Sequence, residues 1–325
     1  MKQLAKHGVN ILAGPPKPTR LNRRPMSVDN PPTIAPSAAA RWRQMLIQPS
    51  PWLHEEVARR MEERLDWIRL QPTAWAHWEP VRGGLEAHAL LAKRYPHAEC
   101  FVVQAQENSA QFAIKKIAKA WWNPTRLTGP LTRFEACPDA AVQMLWANMA
   151  LHVSADPQAL MADWHRALAV DGFLMFSCLG PDTLRELKEL YRQLGWPPPS
   201  HEFTDMHDWG DMLVGAGFAE PVMDMERITL SFESPQRLLL ELRQLGRNLH
   251  VRRFGGLRGR QWHAQLHQQL QRKLADPQEG GRLKLTFEVI YGHALKPANR
   301  LKVQPETTMS LDDMRMALRQ GKSTR

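Results

Sequence analysis

The sequence predicts an α/β fold in which helices cover both faces of a doubly wound sheet. Two observations indicate this fold. Short β-rich apolar runs recur at Cys100–Val103, Val142–Trp146 and Phe173–Ser177, and the stretches between them carry helical patterns, as in Pro157–Leu168. Strands that alternate with helices of about ten residues are typical of βαβ units and a parallel sheet. Because such sheets bind ligands at the carboxyl ends of their strands, we expect the functional site there.

The chain of 325 residues is long enough for one such domain flanked by tails. We predict the domain at residues 51–295, with halves at 51–180 and 181–295. Residues 1–50 are basic and rich in proline without a sustained period, so they are predicted to be a disordered tail. Residues 296–325 are polar and are predicted to be a second, mobile tail. The sequence shows no internal repeat.

Within the domain, helices and strands are predicted in alternation. A first helix begins at Pro51, where apolar residues recur at helical spacing. Further helices are predicted at Leu85–Arg94, Gln111–Ala120, Pro157–Leu168, Thr183–Leu194, Met206–Gly215 and over most of 235–277. Further strands are predicted at Thr73–Trp78, Leu131–Phe134, Arg227–Phe232 and Leu283–Gly292. The loop Glu79–Gly84 follows the first strand.

Several classes of protein are disfavoured by composition. No run of eighteen apolar residues appears, so no membrane span is predicted, and the N-terminus lacks a secretory apolar segment, which favours the cytoplasm. Three cysteines without CxxC spacing predict neither a disulfide framework nor a zinc site, and we predict no metal. Cys100 and Cys178 fall in apolar strand patterns, where a thiol packs as a small hydrophobe.

The formal net charge of +10 suggests an acidic partner. Nucleic acid, an anionic membrane surface and an acidic carrier protein all fit, and so does the plainer interpretation that the charge belongs to solvated tails. The basic stretch Arg247–Arg260 contains interleaved His250 and Phe254, a composition that single-strand nucleic-acid binding uses, although we consider nucleic acid the less favoured partner. Trp121 and Trp122 are expected to close a helix against the core rather than to cover a pocket.

Two stretches carry a resemblance to a known family. The first runs from Met144 through Asn148 to His152 and on to Phe173–Ser177, and it resembles the fourth strand, the following loop and the fifth strand of small-molecule S-adenosylmethionine methyltransferases. The second, Gly180–Leu187, is similar to a segment of malonyl-acyl-carrier-protein O-methyltransferases, which open pimelate synthesis for biotin. Supporting segments follow in the expected order, so that the resemblance extends from about Trp52 to about Lys296.

The resemblance implies a Rossmann-like methyltransferase sheet, S-adenosylmethionine as cofactor and an acyl carrier protein as partner. It places the cofactor in the half 51–180 and the acceptor in the half 181–295. The implied reaction is displacement at the sulfonium methyl by a carboxylate oxygen, which needs positioning rather than a strong base. A pocket arginine would orient that carboxylate, and Arg185 is the predicted candidate. A surface arginine paired with Glu189 is the alternative. His152 is predicted to line the acceptor site, with simple burial as the alternative.

The predicted cofactor contacts depart from the family pattern. The first loop usually has an acid followed by alternating glycines, whereas here Pro80 and Val81 follow Glu79 and only the pair Gly83-Gly84 remains. The second strand ends in Gln104, an amide where the ribose hydroxyls usually meet a carboxylate. The remaining predicted cofactor residues are Glu135, near the adenine, and Asn148, after the fourth strand.

Two hypotheses about activity therefore stay open. The chain is an active carboxyl O-methyltransferase acting on a thioester-carried acid, or it is a methyltransferase-fold protein that has lost methyl transfer and acts as a binding or regulatory partner. A related fold that hydroxylates arginine in an assembly partner is a minor third possibility. Titration with S-adenosylmethionine would distinguish the first two hypotheses.

Overall fold

The computed structural model describes residues 33–45, 50–118 and 129–298, and it confirms the doubly wound α/β fold. Its central sheet has the order β3-β2-β1-β4-β5-β8-β6, with the short strand β7 paired to β8. The strands are β1 (Ala74–Trp78), β2 (Glu99–Val103), β3 (Thr132–Arg133), β4 (Val142–Ala147), β5 (Leu168–Leu179), β6 (Ala219–Phe232), β7 (Ala275–Asp276) and β8 (Arg282–Leu295).

Helices pack on both faces of this sheet. They are α1 (Pro36–Gln44), α2 (Trp52–Glu63), α3 (Pro80–Gly83), α4 (Ala87–Arg94), α5 (Glu107–Ile117), α6 (Pro157–Ala167), α7 (Arg185–Gln193), α8 (Met206–Gly215), α9 (Pro235–Leu245) and α10 (Arg260–Leu274). Successive strand residues point to opposite faces, so Trp75 and Trp146 join one core with α2, α4, α7 and α10. Ala76 and Leu145 join the other core, with α6 and α8.

The carboxyl half of the sheet corrects the expectation of a wholly parallel sheet. Strands β1 to β5 are parallel, but β8 runs antiparallel between β5 and β6. Both faces of β8 are buried, whereas most of the edge strand β6 is half-buried or exposed. The central position of β8, between β5 and β6, explains why both of its faces are covered.

Part of the predicted N-terminal tail is ordered, which corrects the boundary at residue 50. Helix α1 begins at Pro36, a residue favoured in the first turn of a helix, and buries Ala38 and Ala39. These alanines pack with Leu249, and Ile34 forms an isolated β-bridge with His250. Contacts with residues distant in sequence stabilise this helix. Its apolar face is short, and for that reason the sequence shows no sustained helical pattern there. Within 1–50, the structure describes Thr33–Met45 and Ser50, and the other residues lie outside the described part of the chain.

The region 235–277 is not one helical block, because the irregular segment 246–259 separates α9 from α10. Trp121 and Trp122 lie outside the described residues, as does most of the predicted C-terminal tail. Cys100 and Cys178 are buried, as predicted. None of the helices in the described ranges combines the length and the apolar character needed to cross a membrane.

Candidate active site

A cavity of about 230 Å³ lies at the carboxyl ends of β1, β2 and β4, where the fold predicts a ligand. We name it the strand-end cavity. Side chains and backbone from the loops after these strands and from α1 and α6 line it. Its lining comprises Trp42, Arg43, Trp78, Glu79, Arg82, Gly83, Ala105, Gln106, Ser109, Asn148, Met149, Ala150, Val153, Ser154, Ala155, Leu160 and Asp163.

The acid of the first loop and the amide of the second strand bind each other. Glu79 Oε1 accepts a hydrogen bond from the Ala105 N–H at 2.8 Å. With the Gln104 amide oriented so that donors face acceptors, its nitrogen donates to Glu79 Oε2 at 2.8 Å and its oxygen accepts from the Val81 N–H at 3.1 Å. Burial raises the pKa of the Glu79 carboxyl, and the Ala105 N–H opposes this shift. Glu79 therefore lines the cavity, whereas the Gln104 side chain is engaged by the loop itself.

The predicted loop Glu79–Gly84 contains one turn of helix instead of an extended glycine-rich loop. Glu79 adopts a left-handed conformation with φ 51°, and α3 follows it. A Cβ on Gly83 would clash with the carbonyl oxygen of Asn148, and Gly84 has φ 136°, which L side chains rarely adopt. The glycine pair is thus required for close packing against the β4 loop and for the turn that leaves α3.

Asn148 connects three elements beneath the strand-end cavity. Its side-chain amide donates to the carbonyl of His54 at 2.8 Å and to the carbonyl of Gly83, and its oxygen accepts from the Ser177 hydroxyl. Asn148 is buried, although part of it reaches the cavity wall. The structure therefore gives this predicted cofactor residue three partners within the protein.

Helix α1 covers the strand-end cavity through Trp42. The guanidinium carbon of Arg82 lies 4.1 Å from the centre of the Trp42 ring, and that of Arg247 lies 5.8 Å from it. Arg82 Nη2 also donates to the carbonyls of Arg43 and Met45 at 3.2 and 3.3 Å. Arg82 Nη1 is buried without a hydrogen-bond partner among the described residues. A cationic group with unused donor capacity thus stands in the wall of the cavity.

A second cavity, of about 340 Å³, adjoins the first and is mainly apolar. We name it the apolar cavity. Helices α7, α9 and α10 enclose it, together with the loops that follow the short 3₁₀ helix Leu151–Val153. Val153 lines both cavities. Its polar lining residues are His152, Thr183, Ser200, His201, Arg243, Arg247, Asn248 and His263.

Arg247 stands where the two cavities meet. It lines the apolar cavity and faces Trp42, which lines the strand-end cavity. Its Nη1 donates to the carbonyls of Arg243 and Gly246, the latter at 2.8 Å, and it forms no ion pair within the described part of the chain. Burial, together with the positive charge of Arg243, lowers the pKa of Arg247. The group is therefore placed to receive an anion.

His152 lines the apolar cavity and is buried, so it combines the two alternatives that the sequence leaves open. Its carbonyl accepts from His201 Nε2 at 2.9 Å, and its Nδ1 has no partner among the described residues. Burial lowers the pKa of His152 well below the ordinary range, with smaller contributions from His54 and His201. His152 is consequently neutral at pH 7.

Two predicted site residues lie away from both cavities. Arg185 is more than half exposed and is near the carboxylates of Glu186 at 3.2 Å and Asp182 at 4.0 Å, not Glu189. Glu135 is exposed and belongs to neither lining. Arg185 begins α7 six residues past the end of β5, and its side chain leaves on the solvent side because Leu187 and Leu190 occupy the buried side of the helix.

Sequence reasoning missed Trp42, Arg82 and Arg247. Trp42 falls in the predicted tail, and Arg82 falls in the first loop, where the glycines carry the prediction. Arg247 falls in the basic stretch Arg247–Arg260, whose composition predicts no cavity residue. The available signal is an arginine directly before the glycine pair of the first loop, which places a positive charge beside the cavity.

The residues of the strand-end cavity fit S-adenosylmethionine. This cofactor carries an amino group, a carboxylate and ribose hydroxyls. In the cavity wall, Glu79 suits the amino group, Arg82 Nη1 suits the carboxylate and Gln106 suits the ribose hydroxyls. Ala105, Met149 and Leu160 provide apolar wall. Within the described ranges no group of three or more His, Cys, Asp or Glu side chains is arranged to hold a metal ion.

Comparison with known proteins gives the family. The chain is 37% identical over 267 residues to a malonyl-[acyl-carrier protein] O-methyltransferase of Gallionella capsiferriformans, a match that covers 77% of this chain and 86% of the relative. The protein of that name from Laribacter hongkongensis is 36% identical over 259 residues, covering 76% and 84%. Among solved structures, a putative methyltransferase from Bacillus halodurans covers 75% of this chain and 100% of its own, with 15% identity and a TM-score of 0.49. No family model matches the chain. On the identity and coverage of these relatives, the chain belongs to the malonyl-[acyl-carrier protein] O-methyltransferase family of S-adenosylmethionine-dependent methyltransferases.

Proposed function

We propose that the protein methylates the free carboxylate of a malonyl thioester carried on acyl carrier protein, with S-adenosylmethionine as methyl donor. The observation that carries the proposal is the arrangement of two adjoining cavities with Arg247 between them. One cavity offers groups that suit the cofactor, and the other offers an apolar lining for a thioester. The names of the curated relatives support this acceptor.

Arg247 is the group we assign to the acceptor carboxylate, in place of Arg185. An arginine guanidinium binds a carboxylate through parallel hydrogen bonds, which fixes both the position and the orientation of the oxygen that attacks. A carboxylate is already ionised at pH 7, so the reaction needs no general base. The buried, neutral His152 then contributes shape and a polar edge to the cavity wall rather than a charge.

When bound, S-adenosylmethionine supplies a methyl group activated by the adjacent sulfonium. Glu79 is the residue we assign to its amino group and Arg82 to its carboxylate. Gln106 replaces Gln104 as the candidate for the ribose hydroxyls, because Gln104 is engaged by Glu79 and Val81. Trp42 covers the cavity and excludes water from it, which strengthens the electrostatic contacts inside.

The first experiment is titration of the purified protein with S-adenosylmethionine and S-adenosylhomocysteine by calorimetry. We expect micromolar binding of both, followed by incorporation of labelled methyl into malonyl-acyl carrier protein. The variants Arg247→Ala and Arg185→Ala separate the two candidate arginines. Loss of charged hydrogen bonds should lower kcat/KM by about 10- to 100-fold in the first variant, and the second should keep near wild-type activity. Equal losses in both variants would refute the assignment of Arg247.

A protein without methyl transfer remains the second candidate function, and one observation favours it. The amide of Gln104 binds the first loop, so the charged ribose contact of the family pattern is absent at the end of β2. Absence of heat at high micromolar cofactor would support this candidate over the enzymatic one. A cytoplasmic location, as predicted from the sequence, is consistent with either.

A further inference from the structure

A surface of unpaired arginines borders the apolar cavity. We name Arg243, Arg252, Arg253, Arg258 and Arg260 the arginine rim. The sequence contains no acidic residue from Leu242 to Ala275. No arginine of the rim forms an ion pair within the described residues, whereas arginines elsewhere, such as Arg59, Arg166 and Arg192, pair with carboxylates. Among the described residues, therefore, no carboxylate neutralises the positive charge of the rim.

The rim is continuous with the mouth of the apolar cavity. Arg243 lines the cavity directly. The guanidinium of Arg258 lies 4.0 Å from the centre of the Trp262 ring, and Trp262 is part of the cavity lining. Arg243 and Arg258 thus connect the rim to the cavity lining.

The same surface exposes apolar side chains. Leu257 is fully exposed, and Val251 and Phe254 are about half exposed. Exposed apolar side chains between arginines without an ion pair are typical of a protein-protein contact, in which charged residues surround a small apolar centre.

We infer that the arginine rim and Leu257 form the docking site for the acidic surface of the acyl carrier protein, and this inference rests on the proposed function. The rim attracts the carrier and aligns the arm that bears the thioester with the apolar cavity. Opposite charges on two protein surfaces accelerate association and fix orientation, and their effect weakens as salt screens them.

Nucleic acid is the less favoured partner for this surface. Base stacking requires open aromatic faces. Arg258 covers one face of Phe254 at 4.2 Å as well as that of Trp262, and Trp196 packs against Trp262 with ring centres 5.1 Å apart. Arg258 thus occupies one face of Phe254 and one face of Trp262, which leaves less open ring for a stacked base.

The test compares two double charge reversals of equal size. Arg252→Glu with Arg260→Glu changes two exposed residues of the rim. The matched control, Arg272→Glu with Lys273→Glu, changes two exposed residues at the far end of α10, about 18 Å along the helix from Arg260. Binding of malonylated carrier protein is measured by calorimetry at low and high salt. Turnover is measured with that carrier and with the malonyl thioester of pantetheine, which lacks the protein.

We expect the rim variant to raise the Kd for the carrier by about tenfold or more at low salt, with a much smaller effect of the control variant. The ratio of kcat/KM for the carrier to that for the small thioester should fall by a similar factor. Equal Kd values in the two variants, or wild-type binding by the rim variant, would overturn the docking site.

The two proposals fail in different ways. If the wild-type protein methylates carrier-bound malonate and the rim variant does so equally well, the docking site is refuted and the proposed function stands. If neither acceptor is methylated while the rim variant still loses carrier binding, the docking site stands and the methyl transfer is refuted. Tighter binding of a labelled single-stranded oligonucleotide than of the carrier, lost in the rim variant, would assign the surface to nucleic acid and overturn the inference.

Discussion

At the scale of single residues, Asn148 decides how the first loop sits on the sheet. Its amide holds the carbonyls of His54 and Gly83, and its oxygen receives the Ser177 hydroxyl, so α2, α3 and β5 meet at one side chain. Buried polar groups that lose their partners cost far more than their bonds contribute. The principal role of Asn148 in this structure is therefore to position the wall of the strand-end cavity.

We predict that Asn148→Ala lowers the free energy of unfolding by about 2–4 kcal/mol, because two buried carbonyls and one hydroxyl lose their partners. Urea denaturation followed by tryptophan fluorescence measures the change. Unaltered stability with a selective loss of S-adenosylhomocysteine binding would instead identify Asn148 as a direct cofactor ligand.

Gly83 provides a second test of the same contact. Gly83→Ala should destabilise the protein by about 1–3 kcal/mol, since the added methyl clashes with the Asn148 carbonyl and the backbone must shift. Gly210→Ala is the matched control, because the added methyl in α8 meets no atom within 4 Å and favours the helix. Similar unfolding free energies for the two variants in urea would contradict the packing described for Gly83.

At the scale of elements, α1 links the two cavities. Its Trp42 lies over the strand-end cavity between Arg82 and Arg247, and its alanine face packs on Leu249, which belongs to the segment 246–259. The Ala35 N–H donates to the Leu249 carbonyl at 2.8 Å, which fixes the start of the helix. Cofactor-side and acceptor-side walls are thus joined by one short helix from outside the predicted domain.

Removal of the Trp42 ring should loosen this cover without unfolding the domain. We expect Trp42→Ala to weaken S-adenosylhomocysteine binding by about tenfold, since two cation–π contacts and the shielding of the cavity are lost. Amide hydrogen exchange within residues 36–44 should become faster in the same variant. Arg41→Ala, an exposed change on the same helix, is the control. Equal exchange rates in the two variants would show that Trp42 does not anchor α1.

At the scale of the whole molecule, buried histidines connect elements far apart in the sequence. His54 in α2, His152 after β4 and His201 before α8 are all buried. Burial lowers the pKa of His54 and of His201 to about 4, and it lowers that of His152 as well. Each imidazole is therefore neutral in the folded protein at pH values where an unfolded histidine accepts a proton.

The sign of the resulting pH dependence follows from these shifts. Because the folded pKa lies below the unfolded value of about 6.5, the unfolded chain binds more protons as the pH falls from about 6.5 to about 4. The stability present above pH 6.5 should decrease in this window. For His54 and His201 together, we expect a loss of about 4 kcal/mol between pH 7 and pH 5.

The variant His54→Leu tests the contribution of one imidazole. It should be less stable at pH 7, because the hydrogen bond to the Arg82 carbonyl is lost, but its stability should fall by about 2 kcal/mol less between pH 7 and pH 5. Urea denaturation at pH 7, 6 and 5 gives both quantities. An unchanged difference between pH 7 and pH 5 would rule out His54 as a source of the acid sensitivity.

The sequence by itself determined the alternation of strands and helices, the position of the strand-end cavity and the family. Apolar runs such as Val142–Trp146 report burial locally, and parallel strands bring their carboxyl ends to one edge whatever their neighbours are. For that reason Glu79, Gly83 and Asn148 all line the strand-end cavity.

Only the tertiary structure decided which charged groups face the cavities. It places Arg247 between them and Arg185 outside, inserts β8 antiparallel, and brings α1 over the site from a segment with no sustained pattern. These features depend on contacts between residues that are far apart in the chain. An arginine on a helix near a strand end can point either into a cavity or into solvent. Local periodicity contains no information about that choice, because it is made by the packing of one element against another.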